Sequence, residues 1–280
     1  MISYIIVSYN TVKLTVQTID SIVDKCRDYE IIIVDNDSHD GTVEVIKERY
    51  CENNSIQIIE SGANIGFSAA NNLGAKLAVG EYLVFVNPDT VFIEDVGNKL
   101  YSVYKNYFSK KDIILSPQII NPDYTEQHCM NLFPIITLKT PFAKIIKALN
   151  HKQIRKSDWI TGVSLSMTKN TFEKLSGWNE KFDLYSEDMD ICYRLKKIKG
   201  SAYVVKNTKL IHYGNQSGKQ VYKSEYESER KKMNSLRKFY EIYYNENKFI
   251  KYLRIINLIS KNENIDRYIE EEINSNNRNG

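Results

Sequence analysis

Cysteine is sparse in this 280-residue chain, and Cys26, Cys51, Cys129 and Cys192 stand far apart, with no C-x-x-C pair and no histidine at zinc-ligand spacing. That distribution excludes a disulfide framework, argues against a structural metal cage and fits a reducing compartment. No apolar run approaches the roughly 18 residues that a membrane-spanning helix needs. The apolar start, Met1–Val7, is short and lacks a basic n-region, so it reads as a first strand and not as a signal peptide. No G-x-G-x-x-G follows that strand and no G-x-x-x-x-G-K-[ST] occurs anywhere, which speaks against dinucleotide-dependent oxidoreductases and P-loop NTPases. A G-x-G-[ST]-R loop, which would point to nucleotidylyl transfer, is missing near the first strand as well. With 42% hydrophobic and 26% charged residues, the chain is long enough to bury a substantial core without crosslinks. One large domain, or one domain with an extension, accounts for the length.

The net charge of +3 hides an asymmetry. Lys139, Lys144, Lys147, Lys152, Arg155 and Lys156 form a stretch without a single acid, and Arg230–Arg254 carries eight basic residues against two glutamates. Each stretch contributes +6, which leaves −9 on the rest of the chain.

Strand and helix patterns alternate through the first half. Ser3–Ser8 is an apolar run suited to a buried strand, and Val12–Val23 repeats apolar residues at helical spacing. Strands are then expected at Glu30–Val34, Ser55–Glu60 and Glu81–Val86, with helices at Val43–Tyr50 and Ser68–Val79 between them. Such alternation implies right-handed βαβ units and a parallel sheet, with ligands beyond the carboxyl ends of the strands. Every one of those strand ends is polar: Ser8-Tyr9-Asn10, Asp35-Asn36-Asp37-Ser38, Ser61 to Phe67, and Asn87-Pro88-Asp89-Thr90.

The second half is less regular, with Pro117, Pro122, Pro134 and Pro141 punctuating it. Strands are expected at Ile113–Ser116, Trp159–Thr168, Ala202–Val205 and Lys209–His212, and helices at Thr171–Leu175 and Ser186–Lys199. Beyond Gly218 the chain reads as polar helix with interleaved aromatics, and the Asn-rich end from Asn274 to Gly280 as disordered.

Ser186 has the residue type of an N-cap, which puts Glu187 and Asp188 in the first turn of the following helix. Asp188, Ile191, Cys192, Leu195 and Ile198 share one face, so Asp188 is a carboxylate at the inner end of an apolar stripe. The helix N-terminus favours its ionised form, and a partly enclosed carboxylate facing a cleft suits general-base work. Asp190 and Arg194, four apart, read as a structural ion pair. On spacing alone, simple complementing of the helix dipole explains the three acids equally well. Asp89 invites two readings: with Thr90 it caps a helix starting near Phe92, or it ligates Mg²⁺ or Mn²⁺ that holds a diphosphate. His212 alone is more often a packed histidine than a ligand, and Asn64, Gly66, Asn71 and Asn72 serve equally as turn and helix-start residues.

Taken together, the ordered set Val7-Ser8-Tyr9-Asn10, Val34 to Thr42, Asn64-Ile65-Gly66-Phe67-Ser68-Ala69-Ala70-Asn71-Asn72-Leu73-Gly74, Asn87-Pro88-Asp89-Thr90 and Glu187 to Arg194 resembles the inverting glycosyltransferase family 2. The resemblance covers roughly residues 2–215 and is strongest to the bacterial branch that builds surface polysaccharides, rhamnosyltransferases especially. It implies a GT-A fold, α/β with a mixed, mainly parallel sheet flanked by helices. Residues 1–217 would form the catalytic domain, with 1–115 the nucleotide-sugar half and 116–217 the acceptor half, and 218–280 a helical extension. By motif position, Ser8, Tyr9, Asn10, Asp35, Asn36 and Asp37 would hold base and ribose, and Asn64, Gly66, Asn71 and Asn87 would line the donor pocket. Asp89 and His212 would bind a divalent cation on the diphosphate, and Asp188 would deprotonate the acceptor hydroxyl for in-line, inverting attack. Asn87 stands where the family commonly has the first carboxylate of Asp-x-Asp, which lowers the charge available to a metal. Lys219, beyond Ser217-Gly218, is a candidate for compensating charge.

The resemblance implies a nucleoside-diphosphate sugar as donor, dTDP-rhamnose first and a UDP-hexose or UDP-N-acetylhexosamine second. A glycan or lipid-diphosphate-linked acceptor at an anionic inner membrane face would suit the two basic stretches. A catalytically silent nucleotide-sugar or glycan-binding scaffold is the competing class, and the presence of both Asp89 and Asp188 speaks against it. For the tail, three readings stand: aromatics packing onto the catalytic domain, an oligomer contact, or a basic amphipathic membrane-surface helix at Lys248–Ser260. No nucleic-acid-binding motif accompanies those aromatics.

Overall fold

A computed structural model describes residues 1–134, 153–182, 184–214, 224–244 and 246–278. The basic stretch 139–156 falls largely outside these residues, as does Lys219.

The chain opens β1 (Ile2–Ser8), α1 (Val12–Lys25), β2 (Tyr29–Asp35), α2 (Thr42–Arg49), β3 (Ile56–Glu60), α3 (Phe67–Leu77) and β4 (Tyr82–Val86). There follow β5 (Thr90–Phe92), α4 (Val96–Val103) with a π turn at Tyr104–Phe108, β6 (Ile113–Ile120), β7 (Met130–Asn131), β8 (Ile154–Ser157), β9 (Trp159–Ile160) and β10 (Ser164–Thr168). The chain continues through α5 (Lys169–Lys174), α6 (Glu187–Lys197), β11 (Ser201–His212), α7 (Glu225–Tyr243), α8 (Glu246–Ser260) and α9 (Glu263–Arg278).

The large sheet runs β3-β2-β1-β4-β10-β6-β11-β5, with β8 added against β11. β1, β2, β3 and β4 are mutually parallel, so their carboxyl ends share one edge, while β10 enters antiparallel to both β4 and β6. All seven residues of β1 are buried, the signature of a strand covered on both faces. Its Ile2, Ile5 and Ile6 are fully enclosed, each side chain worth about 1.5–3 kcal/mol of apolar burial. This is the mixed, mainly parallel sheet flanked by helices that the family resemblance implies; the alternating pattern alone foresees only the parallel β1–β4 part.

Several local expectations are corrected. Thr90–Phe92 is a short strand, and the next helix starts at Val96, capped by Asp95 through Asn98 N–H, so neither Asp89 nor Thr90 is a helix cap. The run Trp159–Thr168 is interrupted at Thr161-Gly162-Val163, because β9 pairs with β7 and β10 with the large sheet. Ala202–Val205 and Lys209–His212 are two halves of one strand, joined across a register shift against β6. Ile198 lies past the end of α6 and is exposed, and the final helix runs on to Arg278 instead of dissolving at the asparagines.

The tail helices carry a core of their own, built from Met233, Tyr240, Phe249, Leu253, Tyr268 and Ile269. Phe249 and Leu253 are the apolar residues that the membrane-surface reading of Lys248–Ser260 would need outside, and both are buried between helices. Helix α7 faces two ways, since its Phe239 belongs to the main core and stacks edge-on to Tyr193 of α6, 5.4 Å between ring centres. Among the described residues no helix is long and apolar enough to cross a membrane.

Candidate active site

The polar strand ends meet as a connected set of turns. Asn36 N–H donates to the Ser8 carbonyl, Asn10 N–H donates to Ser38 Oγ at 2.9 Å, and His39 N–H donates to Asn10 Oδ1 at 2.7 Å. Asn10 and Asp37 hold left-handed backbone, with φ of 51° and 71°, a conformation that Asn and Asp tolerate better than most residues. Buried Asn36 reaches the third turn, donating to Asn64 Oδ1 at 3.0 Å and accepting from Ile65 N–H at 2.9 Å. Gly66, at φ 82°, opens α3, and Asn71 is buried one turn further on, bonded to the Phe67 carbonyl.

Within this set the candidates divide. The Ser8 hydroxyl is fully buried and turned to Thr11 and Thr15 of α1, so its side chain builds the turn and does not face the edge. Asp35 is buried, and while its Oδ2 accepts from Ser38 N–H, its Oδ1 has no hydrogen-bond partner among the described residues. A buried carboxylate oxygen without a donor is costly, and a ligand hydroxyl at the strand end would satisfy it.

Asp188 stands in the first turn of α6. Ser186 occupies the capping position with φ 64° but its side chain makes no capping bond, and Tyr185 before it is also left-handed at φ 68°. Two successive non-glycine residues in that region cost roughly 1–2 kcal/mol each, and they lead into the buried Asp188. Its Oδ2 accepts from Gly162 N–H at 2.8 Å, and Oδ1 from Met189 N–H at 2.7 Å. Burial nevertheless outweighs these donors and pushes the carboxyl up to about 6. The helix N-terminus alone would have kept it low; desolvation reverses that expectation. The result is a carboxylate with a proton affinity near neutrality, which general-base chemistry requires. The neighbouring Val163 carbonyl accepts from Asn87 N–H, so the loop bearing Gly162 joins Asp188 to the Asn87-Pro88-Asp89 turn.

That turn is fixed from α1, where Thr18 Oγ1 donates to the Pro88 and Thr90 carbonyls. Asp89 is 4% exposed, and His212 Nε2 stands 3.2 Å from its Oδ1. Gln127 determines how that contact works. Its Nε2 donates to the His212 carbonyl and to Asn121 Oδ1, so its Oε1 must be the atom 3.0 Å from His212 Nδ1. A carbonyl oxygen there requires Nδ1–H, and in the neutral imidazole the Nε2 lone pair then points at the Asp89 carboxylate. Two acceptors face each other unless Nε2 gains a proton or a cation lies between them. Ligands that share a cation at ~2.1 Å sit roughly 3 Å apart, so Asp89 and His212 fit Mg²⁺ or Mn²⁺, with the imidazole favouring Mn²⁺. Among the described residues no cluster of three or more His, Cys, Asp or Glu forms a metal site, so such an ion would need further oxygens from its ligand.

Residues 3–151 match the family model described as glycosyl transferase family 2. The chain belongs to that family. Within it, the chain is 24% identical over 180 residues to the low-salt glycan biosynthesis hexosyltransferase Agl10 of Haloferax volcanii, covering 60% of this chain and 53% of that protein. It is 22% identical over 211 residues to the N-acetylglucosaminyl-diphospho-decaprenol L-rhamnosyltransferase of Mycobacterium tuberculosis, covering 67% of each chain. The match thus spans about half of the first relative's length and two thirds of the second's. Among solved structures, GalNAc-T7 with UDP, GalNAc and Mn²⁺ superposes with a TM-score of 0.62 at 15% identity, over 76% of this chain and 43% of that one, a likeness of fold.

For a family 2 glycosyltransferase, two contributors have no signal in the sequence. Gly162 lies in a loop the pattern reads as strand, and Gln127 is an ordinary polar residue in an irregular region; only the tertiary contacts with Asp188 and His212 reveal them. Lys219 lies outside the described residues. Asp190 is fully buried and pairs with Arg194 at 2.7 Å, the structural ion pair expected from their spacing.

Proposed function

We propose that the protein is an inverting glycosyltransferase that moves a sugar from a nucleoside-diphosphate donor to a hydroxyl of a surface glycan or a lipid-diphosphate-linked acceptor. The observation that supports this most is the adjacency of two unlike sites: a desolvated carboxylate at Asp188 and the Asp89–His212 pair, joined through Asn87 and the Gly162–Val163 loop. Asp188 Oδ would take the proton of the acceptor hydroxyl as that oxygen attacks the anomeric carbon, and the nucleoside diphosphate departs on the opposite face. Asp35 Oδ1, buried and unpartnered among the described residues, is suited to a ribose hydroxyl. Tyr9, Asn10, Asn36, Asp37, Asn64, Gly66 and Asn71 shape the donor edge around it, and Ser8 and Asn87 support their turns. A divalent cation at Asp89 and His212 would supply positive charge to the departing diphosphate.

Residues 1–217 form the catalytic unit in this reading, and 218–280 pack on it as a helical extension. dTDP-rhamnose is the favoured donor, on the strength of Asn87-Pro88-Asp89, the Asp35–Ser38 turn and the rhamnosyltransferase among the relatives. A UDP-hexose is the second reading, because the other relative is named a hexosyltransferase. Thermal-shift comparison of dTDP with UDP, each with and without Mn²⁺, separates them. Stronger stabilisation by dTDP supports rhamnose, and stronger stabilisation by UDP overturns it.

A further inference from the structure

The turn that presents Asp188 is held from outside the catalytic half. Tyr185 and Ser186 both adopt left-handed backbone, and Ser186 makes no side-chain cap, so the Asp190 N–H bond to the Ser186 carbonyl supports the turn locally without a capping side chain. Such conformations persist only where surrounding contacts enforce them. Two of those contacts come from α7. Ser235 Oγ donates to the Tyr185 carbonyl, and Tyr243 OH donates to Asp190 Oδ1 at 2.6 Å. Lys232, on the same helix, lies over the Tyr185 ring at 5.6 Å.

Asp190 is the second anchor of this turn. It is fully buried, its N–H closes the first helical bond to the Ser186 carbonyl, and its carboxylate accepts from Asn179 Nδ2, Arg194 Nε and Tyr243 OH. Burial and the Asp190 hydrogen bond push the Tyr243 phenol up, which keeps it a donor throughout the working pH range. Tyr193 of α6 packs against Tyr243 at 4.5 Å between ring centres, so helix and extension meet along a continuous contact.

We propose that Ser235 and Tyr243 are positioning residues for Asp188, and that the helical extension is therefore part of the working catalytic unit. Without their two hydroxyls, the Tyr185–Ser186 turn is free to relax toward ordinary backbone, and the Asp188 carboxylate leaves the Gly162 amide. The proposal rests on the reading of Asp188 as the base, and its test separates the two.

The variants are Ser235→Ala with Tyr243→Phe, Ser235→Thr, which retains the hydroxyl, and Asp188→Asn. Amide hydrogen exchange is the first readout, since it needs no substrate. The double variant is expected to exchange at least 10-fold faster at Gly162 and Asp190, with β1 and β4 unchanged and Ser235→Thr close to wild type. Nucleoside-diphosphate release from dTDP-rhamnose, UDP-glucose and UDP-N-acetylglucosamine, with water as acceptor, is the second. There kcat is expected to fall 10-fold or more while the KM for donor stays within 2-fold. Unchanged exchange at Gly162, or exchange raised uniformly through the sheet, overturns the proposal. An inactive Asp188→Asn beside a double variant of normal kcat also overturns it and leaves the base reading standing. A fully active Asp188→Asn removes the base reading, and Gly162 exchange still decides whether the extension holds the turn. If the double variant does not fold, Tyr243→Phe alone, which removes one oxygen, carries the same expectation at smaller amplitude.

Discussion

The main-chain amide of Gly162 donates a 2.8 Å hydrogen bond to Asp188 Oδ2, and a β-carbon at position 162 would stand 3.2 Å from the Asp188 β-carbon. The loop between β9 and β10 can approach α6 this closely only because the residue there has no side chain. Gly162→Ala is expected to push Asp188 outward by a few tenths of an ångström. Donor turnover should then fall on the order of 10-fold with thermal stability little changed, since small displacements of a catalytic group are costly to rate. Steady-state kinetics alongside a thermal melt would check this.

Asp188 ties activity and stability to pH in opposite directions. Its carboxyl is raised by burial from the ordinary carboxylate value of 3.8 to about 6, so the folded protein binds this proton more tightly than the unfolded chain does. The neutral acid therefore stabilises the fold below pH 4, and that contribution is lost as pH rises through about 6. Asp188→Asn, which carries no charge, should gain on wild type by about 1–3 kcal/mol between pH 4 and pH 8. As the proposed base, Asp188 would act in its ionised form, so the wild-type rate should fall on the acid side of about pH 6. Urea unfolding and pH–rate profiles on the two proteins read both effects.

The ring orientation of His212 depends on a residue that would not touch the ion itself. Gln127 Oε1 accepts from Nδ1–H, which in the neutral ring leaves the Nε2 lone pair facing Asp89, so Gln127→Leu should weaken Mn²⁺ binding about 10- to 100-fold without touching a ligand atom. His212→Ala should weaken it further, and chelation by EDTA should suppress donor turnover. Mn²⁺ titration followed by electron paramagnetic resonance measures the affinities directly.

Asp190 bears on stability as well as on the turn that presents Asp188. With the side chain of Asp190 wholly enclosed and that of Arg194 21% exposed, Asp190→Ala leaves a largely buried guanidinium unpaired. A loss of about 3 kcal/mol is expected. Chemical denaturation of the variant gives the value.

The βαβ half was legible because each strand from β1 to β4 is an apolar run followed by a polar turn, and parallel topology then brings those turns to one edge. The spacing of Asp190 and Arg194 likewise announced their ion pair. What the pattern could not carry was anything decided by non-local pairing. Trp159–Thr168 looks continuous, yet its two ends belong to different sheets, and the break between them creates the Gly162 amide site. Capping propensity pointed to Ser186, but Ser235, 49 positions later in sequence, supplies the hydroxyl that holds this turn. The ionisation of Asp188 turned on burial, a property of the assembled fold, against a helix-terminus effect that is visible locally. In the tail, the same residues read as a membrane-facing or a packing helix, and only the buried Phe249 and Leu253 decide for packing.

The role proposed for Asp188 is that of the base in a glycosyl transfer. Its most direct test is the release of nucleoside diphosphate from dTDP-rhamnose, UDP-glucose and UDP-N-acetylglucosamine by the wild-type protein and by Asp188→Asn, with nucleotide affinity measured on both. Wild type is expected to turn over at least one donor and the variant to lose about 10²–10⁴-fold, at nucleotide affinity within a few-fold of wild type. An Asp188→Asn protein that transfers at the wild-type rate would contradict that role.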